Sequence, residues 1–221
     1  MSNRKPRGKT LANKMKKEIR KYKLKKELIV KKITGKILKY NDLNLKTACE
    51  EVLPTDNVSF IKDMKVVLKS TKNGVGIAAN QIGILKRVVV LYPKRIEMMV
   101  MINPEIEIIE EKDDDTGEMI VKKYEHEEGC LSYPNFYTKI KRPRNVKVKY
   151  YDENLKEQNV IMNNFESSLV QHEVDHLSGK CLVGDAWEIK QERKDKIYFR
   201  KSVWQDFHLN SPQRPRVVPV L

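Results

Sequence analysis

Stretches rich in Val, Ile and Tyr follow one another at residues 87–92, 98–109, 119–125, 138–151 and 157–162, and a helical segment over 163–179 comes only after them. Strands in series followed by a long helix give an α+β fold, with mixed or antiparallel strands packed around that helix. An earlier helix is expected over 58–72, with Phe60, Met64, Val67 and Leu68 on one face and a stop at Asn73-Gly74. Gly179 supplies the corresponding stop for the later one. A further, charged helix is expected over 185–204, followed by a tail in which the prolines from Ser211 onward cannot propagate helix. The acidic loop 112–117 reads as a hairpin tip, because Asp113-Asp114-Asp115 lacks the spacing and closing Glu of a calcium loop.

Charge divides the chain further. The net charge is +14, and residues 1–32 carry fourteen Lys or Arg against only Glu18 and Glu27. That segment holds +12, and 14 less 12 leaves +2 for the rest, so the body is nearly neutral. We divide the chain into a basic extension (1–36), a folded body (37–185) and a C-terminal helix and tail (186–221). The extension reads either as a solvated segment or as a loose amphipathic helix carrying Met15, Ile19, Tyr22 and Ile29. A Lys-rich, acid-poor start is also the composition of organelle transit segments. Apolar runs such as 88–91 fall far short of a membrane span. Cys49, Cys130 and Cys181 are odd in number and irregularly spaced, which fits a reducing compartment and leaves thiolates available for chemistry.

Within the later helix stands Gln171-His172-Glu173-Val174-Asp175-His176. Histidines at i and i+4 lie one turn apart on one face, so both imidazoles can grip one ion with Glu173 beside it. A catalytic site of this kind normally takes three protein ligands and keeps a position open for water. The stretch from His172 to Gly179 matches the opening of the long metzincin pattern, but Leu182 stands where its third histidine belongs and no Met-turn follows. Upstream lies Glu128-Gly129-Cys130-Leu131-Ser132. Taken alone, Cys130 reads first as a buried structural cysteine, although its thiolate would complete a His, His, Cys set. The third segment is Gly74-Val75-Gly76-Ile77-Ala78-Ala79-Asn80-Gln81. It follows a helix, so it is no dinucleotide loop, and its small residues would let main chain lie close to a ligand while Gln81 offers a neutral donor.

In this order, GVGIAANQ, EGCLS and QHEVDHLSG resemble the signatures of the peptide deformylase family, over about residues 37–185. The resemblance implies a hydrolase that removes the N-formyl group from the methionine of newly made proteins. It implies Cys130, His172 and His176 as metal ligands, with Fe²⁺ expected natively and Zn²⁺ as the alternative. Glu173 is implied as the base, and the Gln81 amide and the N–H of Leu131 as donors to the formyl oxygen. The peptide is expected as an added strand near Val75, Gly76 and Gly129, its methionine side chain near Val75, Phe165 and Leu169. Expected partners are formyl-methionyl nascent peptides and, through the extension, the ribosome, with no sequence-specific nucleic acid. The extension looks more like organellar members, those of an apicomplexan plastid above all, with mitochondrion or bacterial cytoplasm as alternatives.

Departures from the family pattern are Asn41 for a proline, Tyr137 for an arginine, with Arg142 kept, and His126 where an aliphatic residue often lines the pocket mouth. His126 would narrow or polarise that entrance, unless it is simply an exposed strand residue. Two rival functions remain in view: a zincin-like metallopeptidase, and a ribosome- or RNA-binding module built on the basic segment.

Overall fold

The computed structural model describes residues 13, 16–21, 37–93, 97–180, 187–193, 196–201 and 217–219. Helix α1 (Phe60–Ser70) is followed by strands β1 (Gly76–Ala78), β2 (Val88–Leu91), β3 (Met99–Lys112) and β4 (Met119–Ile120). Then come β5 (Lys123–Cys130), β6 (Tyr133–Pro143), β7 (Asn145–Tyr151) and β8 (Glu157–Asn163), and helix α2 (Asn164–Leu177). The main sheet runs β1-β2-β3-β7-β8, with every neighbour on that path antiparallel. β5 and β6 form a separate antiparallel pair. Antiparallel strands with helices on their faces make the α+β architecture expected above.

β2 shows why the sheet is covered on both sides. Successive side chains of a strand point to opposite faces. Val88 and Val90 pack with Ile61, Met64, Val67 and Leu68 of α1, while Val89 and Leu91 pack with Leu169, Val170 and Leu177 of α2. All four β2 residues are buried, which is why this strand reads as a continuous apolar run rather than an alternation. On α1 the buried set is Ile61, Met64, Val67 and Leu68, with Phe60 only packed against it, one position away from the expected stripe. The single long strand expected over 138–151 is two strands meeting at Arg144, whose N–H bonds to Lys122 O. The segment 119–125 is likewise split between β4 and β5.

The ends of the described chain bring corrections. Over 185–204 no helix is described; β9 (Trp187–Arg193) and β10 (Lys196–Lys201) form an antiparallel pair instead. Trp187 and Ile189 alternate with Glu188 and Lys190, and Ile197-Tyr198-Phe199 is β-branched and aromatic, so strand propensity outweighs a charge content that resembles a helix surface. β11 (Val217–Pro219) pairs in parallel with β3, within the expected tail; residues 211–216 lie outside the described residues. At the other end residues 16–21 are helical and exposed, whereas Met15, Tyr22 and Ile29 lie outside the described residues, as does Cys181. The acidic tip between β3 and β4 is a turn: the Asp113 carboxylate accepts from the N–H groups of Asp115 and Thr116 and from the Thr116 hydroxyl. None of the helices described is long and apolar enough to cross a membrane.

Candidate metal centre

α2 is buried on most of its circumference, from Ser167 through Glu173 and again at His176 and Leu177. Its two ends are fastened to other elements. Near the start, Ser167 Oγ and Gln171 Nε2 both donate to Pro143 O, at 2.9 and 3.0 Å. At the end, His176 O accepts from Asn80 Nδ2 at 2.6 Å and Leu177 O from Cys49 N at 2.8 Å. These bonds satisfy carbonyls that a helix leaves without internal partners. Gly179 then turns the chain with φ +70°, and a Cβ there would lie 2.8 Å from the Lys46 carbonyl carbon. Only glycine meets both demands.

β5 presents Tyr124, His126, Glu128 and Cys130 on its inner face and exposes Lys123, Glu125, Glu127 and Gly129 on the other, as the two-residue period of a strand requires. The inner face lies against α2. There the Cys130 Sγ and ring nitrogens of His172 and His176 come within 4.8 Å of one another, with Sγ 3.2 Å from His176 Nε2. Thiolate and two imidazoles are a donor set for Fe²⁺ or Zn²⁺.

The orientation of His172 is set by Glu128, whose Oε2 lies 2.9 Å from His172 Nδ1. A carboxylate at Nδ1 fixes the proton there and leaves Nε2 as the ligand nitrogen. Arg142 holds Glu128 in turn, with Nη2 at 3.0 Å from Oε2 and Nε on Oε1, and reaches Asp175 Oδ2 with Nη1 at 2.7 Å. Burial would raise the Glu128 pKa, but the Arg142 charge and the His172 hydrogen bond hold it well below the ordinary carboxylate range. Neither the Glu128-Gly129-Cys130 segment nor the position of Arg142 assigns these two residues this task from the sequence alone. The two-residue spacing of Glu128 and Cys130 on one strand was the available signal.

Glu173 is buried, and its Oε2 has no hydrogen-bond partner among the described residues. Burial pushes its pKa up to about 7; His172 opposes the rise and Glu128 adds to it. Gly76 lies flush against this carboxyl, for a Cβ at that position would sit 2.8 Å from Glu173 Cδ. Gln81 is also buried: its Oε1 accepts from Ala78 N at 2.9 Å, which aims the amide nitrogen at Ser132 Oγ (3.1 Å) and toward Cys130 Sγ (3.5 Å). Leu131 follows Cys130 and is half-buried. Val75 and Phe165, both half-buried, pack against the cluster that holds Leu169, on the α2 side of the sheet. Gly129 is exposed, with the Tyr137 ring directly over it, where a Cβ would lie 2.7 Å from Cε1. Among the described residues β1 pairs only with β2 and β5 only with β6, so an unpaired edge borders the centre on each side.

Comparison with known proteins follows the same residues. The polypeptide deformylase family model matches residues 34–192. The peptide deformylase of Saccharophagus degradans is 35% identical over 161 residues, covering 71% of this chain and 87% of its own. That of Endomicrobium trichonymphae is 36% identical over 170 residues, covering 75% and 94%. Among solved structures, the peptide deformylase from Synechococcus elongatus in complex with actinonin aligns with a TM-score of 0.57 at 31% identity, covering 66% of this chain and 74% of that one. The Ehrlichia chaffeensis peptide deformylase aligns with a TM-score of 0.57 at 28% identity, covering 66% and 84%. Since the match takes in the ligand cluster, the carboxyl beside it and the sheet that carries both, the chain belongs to the polypeptide deformylase family.

Proposed function

We propose that this chain hydrolyses the formyl amide at the N-terminus of formyl-methionyl nascent peptides, with the residues around Cys130 acting as follows. The observation that carries the reading is the Cys130, His172, His176 cluster with the Glu173 carboxyl buried beside it, its Oε2 without a hydrogen-bond partner among the described residues. A divalent ion held by these three side chains supplies Lewis-acid activation of water and of the formyl carbonyl. Glu173 takes a proton from the water as its oxygen bonds to the formyl carbon, and passes it to the amide nitrogen as the C–N bond breaks. Formate and a free amine leave. The Gln81 amide, already aimed by Ala78 N, and the N–H of Leu131 donate to the formyl oxygen as it gains charge. Glu128 and Arg142 keep His172 in its ligand tautomer throughout.

A peptide entering between the unpaired edges of β1 and β5 adds as a strand beside Val75, Gly76 and Gly129, and its first side chain turns toward Phe165 and Leu169. We assign Fe²⁺ as the native ion, Zn²⁺ being compatible with the same donors. The zincin-like alternative needs a ligand downstream of the histidines, whereas the cluster is completed from upstream, by Cys130. The +12 carried by residues 1–32 supports ribosome association as a second role of the same protein, and its transit-like composition supports a plastid address.

The test is formate release from formyl-Met-Ala-Ser by anaerobically purified protein of known metal content. Glu173→Gln keeps the shape of the side chain and cannot accept the proton, so it should retain the metal and lose about 10²- to 10⁴-fold in kcat. Activity within about threefold of wild type would remove Glu173 from the role.

A further inference from the structure

Outward from the ligands, the seam between β5 and α2 continues as a second layer. One strand step beyond Glu128 on the inner face is His126, and one helical turn before His172 is Ser168. His126 Nδ1 lies 3.3 Å from Ser168 Oγ, and Ser168 Oγ donates to Glu128 Oε1 at 3.0 Å. The imidazole meets the Phe165 ring edge-on, with centroids 6.1 Å apart, and stacks on Tyr124 at 5.1 Å. A polar pair thus stands beside the Phe165 ring.

On the deformylase reading, the first side chain of a peptide strand held between the β1 and β5 edges turns toward Phe165, whose ring meets His126 in this seam. The thioether of methionine stands several bonds from the formyl carbon, about the reach of one helical turn, roughly 5.4 Å, and one turn separates His172 from Ser168. A side chain of that reach, turned toward Phe165 as the proposed binding has it, ends at the His126 and Ser168 layer. Because Ser168 has one proton and gives it to the Glu128 carboxylate, His126 donates from Nδ1 to Ser168 Oγ, and its Nε2, an acceptor in this tautomer, lies 3.8 Å from Glu128 Oε1. Glu128 is also bound by Arg142 and His172, so Ser168 can instead turn its proton to Nδ1. Nε2 then becomes an N–H donor.

We propose that His126, with Ser168 as its switch, is a specificity-determining residue of the first-residue pocket, so that the enzyme accepts formyl-methionine sulfoxide as well as formyl-methionine. The oxygen added to sulfur takes the Nε2 hydrogen bond, where a purely apolar wall would leave it unpaired. The proposal rests on the deformylase reading and goes beyond it.

The experiment measures kcat/KM of the full-length metal-loaded enzyme on Ala-Ser peptides headed by formyl-Met, formyl-norleucine and formyl-Met sulfoxide. The readout is the sulfoxide-to-norleucine ratio, which does not depend on the overall activity of a preparation. His126→Ile should lower that ratio by about tenfold, the scale of one hydrogen bond, and His126→Gln, which keeps a donor, should restore most of it. A ratio within twofold of wild type in His126→Ile overturns the proposal, as does a fall in His126→Gln as large as that in His126→Ile. Should His126→Ile be recovered without metal, Ser168→Ala decides alone: a ratio changed by more than about threefold in either direction supports the switch and an unchanged one overturns it. No formate from formyl-Met-Ala-Ser with the wild-type enzyme would instead remove the deformylase reading.

Discussion

Two cysteines of one chain illustrate how surroundings divide chemistry between like residues. Cys49 is buried against the core, and burial pushes its thiol up to about 11, Arg87 pulling the other way, so it stays a neutral apolar filler. Cys130 ends β5 with its sulfur against His176 Nε2. Cys130→Ser replaces a soft ligand by a poorly ionised hydroxyl and should cost at least about tenfold in affinity for Fe²⁺ or Zn²⁺. Cys49→Ser should leave metal content unchanged, read as bound metal per chain after dialysis; equal loss in both variants would mean that the ligand set is misassigned. The ligand types were legible because His-x-x-x-His and a nearby cysteine are local patterns. Arg142 was not legible in the same way: it joins Glu128 and Asp175 across 14 and 33 residues, and no local period marks such a bond.

At the scale of elements, α2 owes its place to its ends. Asn80 and Cys49 bond to its last carbonyls, and Gly179 leaves it in a left-handed turn pressed against Lys46. Gly179→Ala meets a positive φ worth about 1–2 kcal/mol and a backbone contact in addition. Stability to urea should fall by about 2 kcal/mol or more, with a loosened helix end and weaker metal retention. A loss below about 0.5 kcal/mol would show that the turn tolerates a side chain. The glycine was readable as a helix stop, but the second demand on it comes from residues some 130 positions away, which no helix rule contains. The strands β9 and β10 were misread for the opposite reason. Their charged residues suggested a solvated helix, while the alternation of Trp187 and Ile189 is short enough to be overlooked. Long periodic segments such as α1 and α2 were the readable ones, and their ends were found to within a few residues.

For the whole molecule, charge and chemistry lie in different parts of the chain. Residues 1–32 carry +12 and every residue of the metal centre lies between Val75 and His176. Deleting 1–32 should therefore leave kcat/KM on formyl-Met-Ala-Ser within about twofold and weaken binding to ribosomes or RNA by at least about tenfold at low salt, measured by co-sedimentation. Retained binding after deletion would move that surface into the folded body. The unpaired edges of β1 and β5 have a consequence for timing. A peptide that adds there as the proposed strand is bound only while it is extended, so on that reading a nascent N-terminus already wound into a helix or folded under a domain is out of reach. Deformylation is then a race between this enzyme and the folding of its own substrate, and proteins whose first residues become buried early are those that keep a formyl group when the enzyme is scarce.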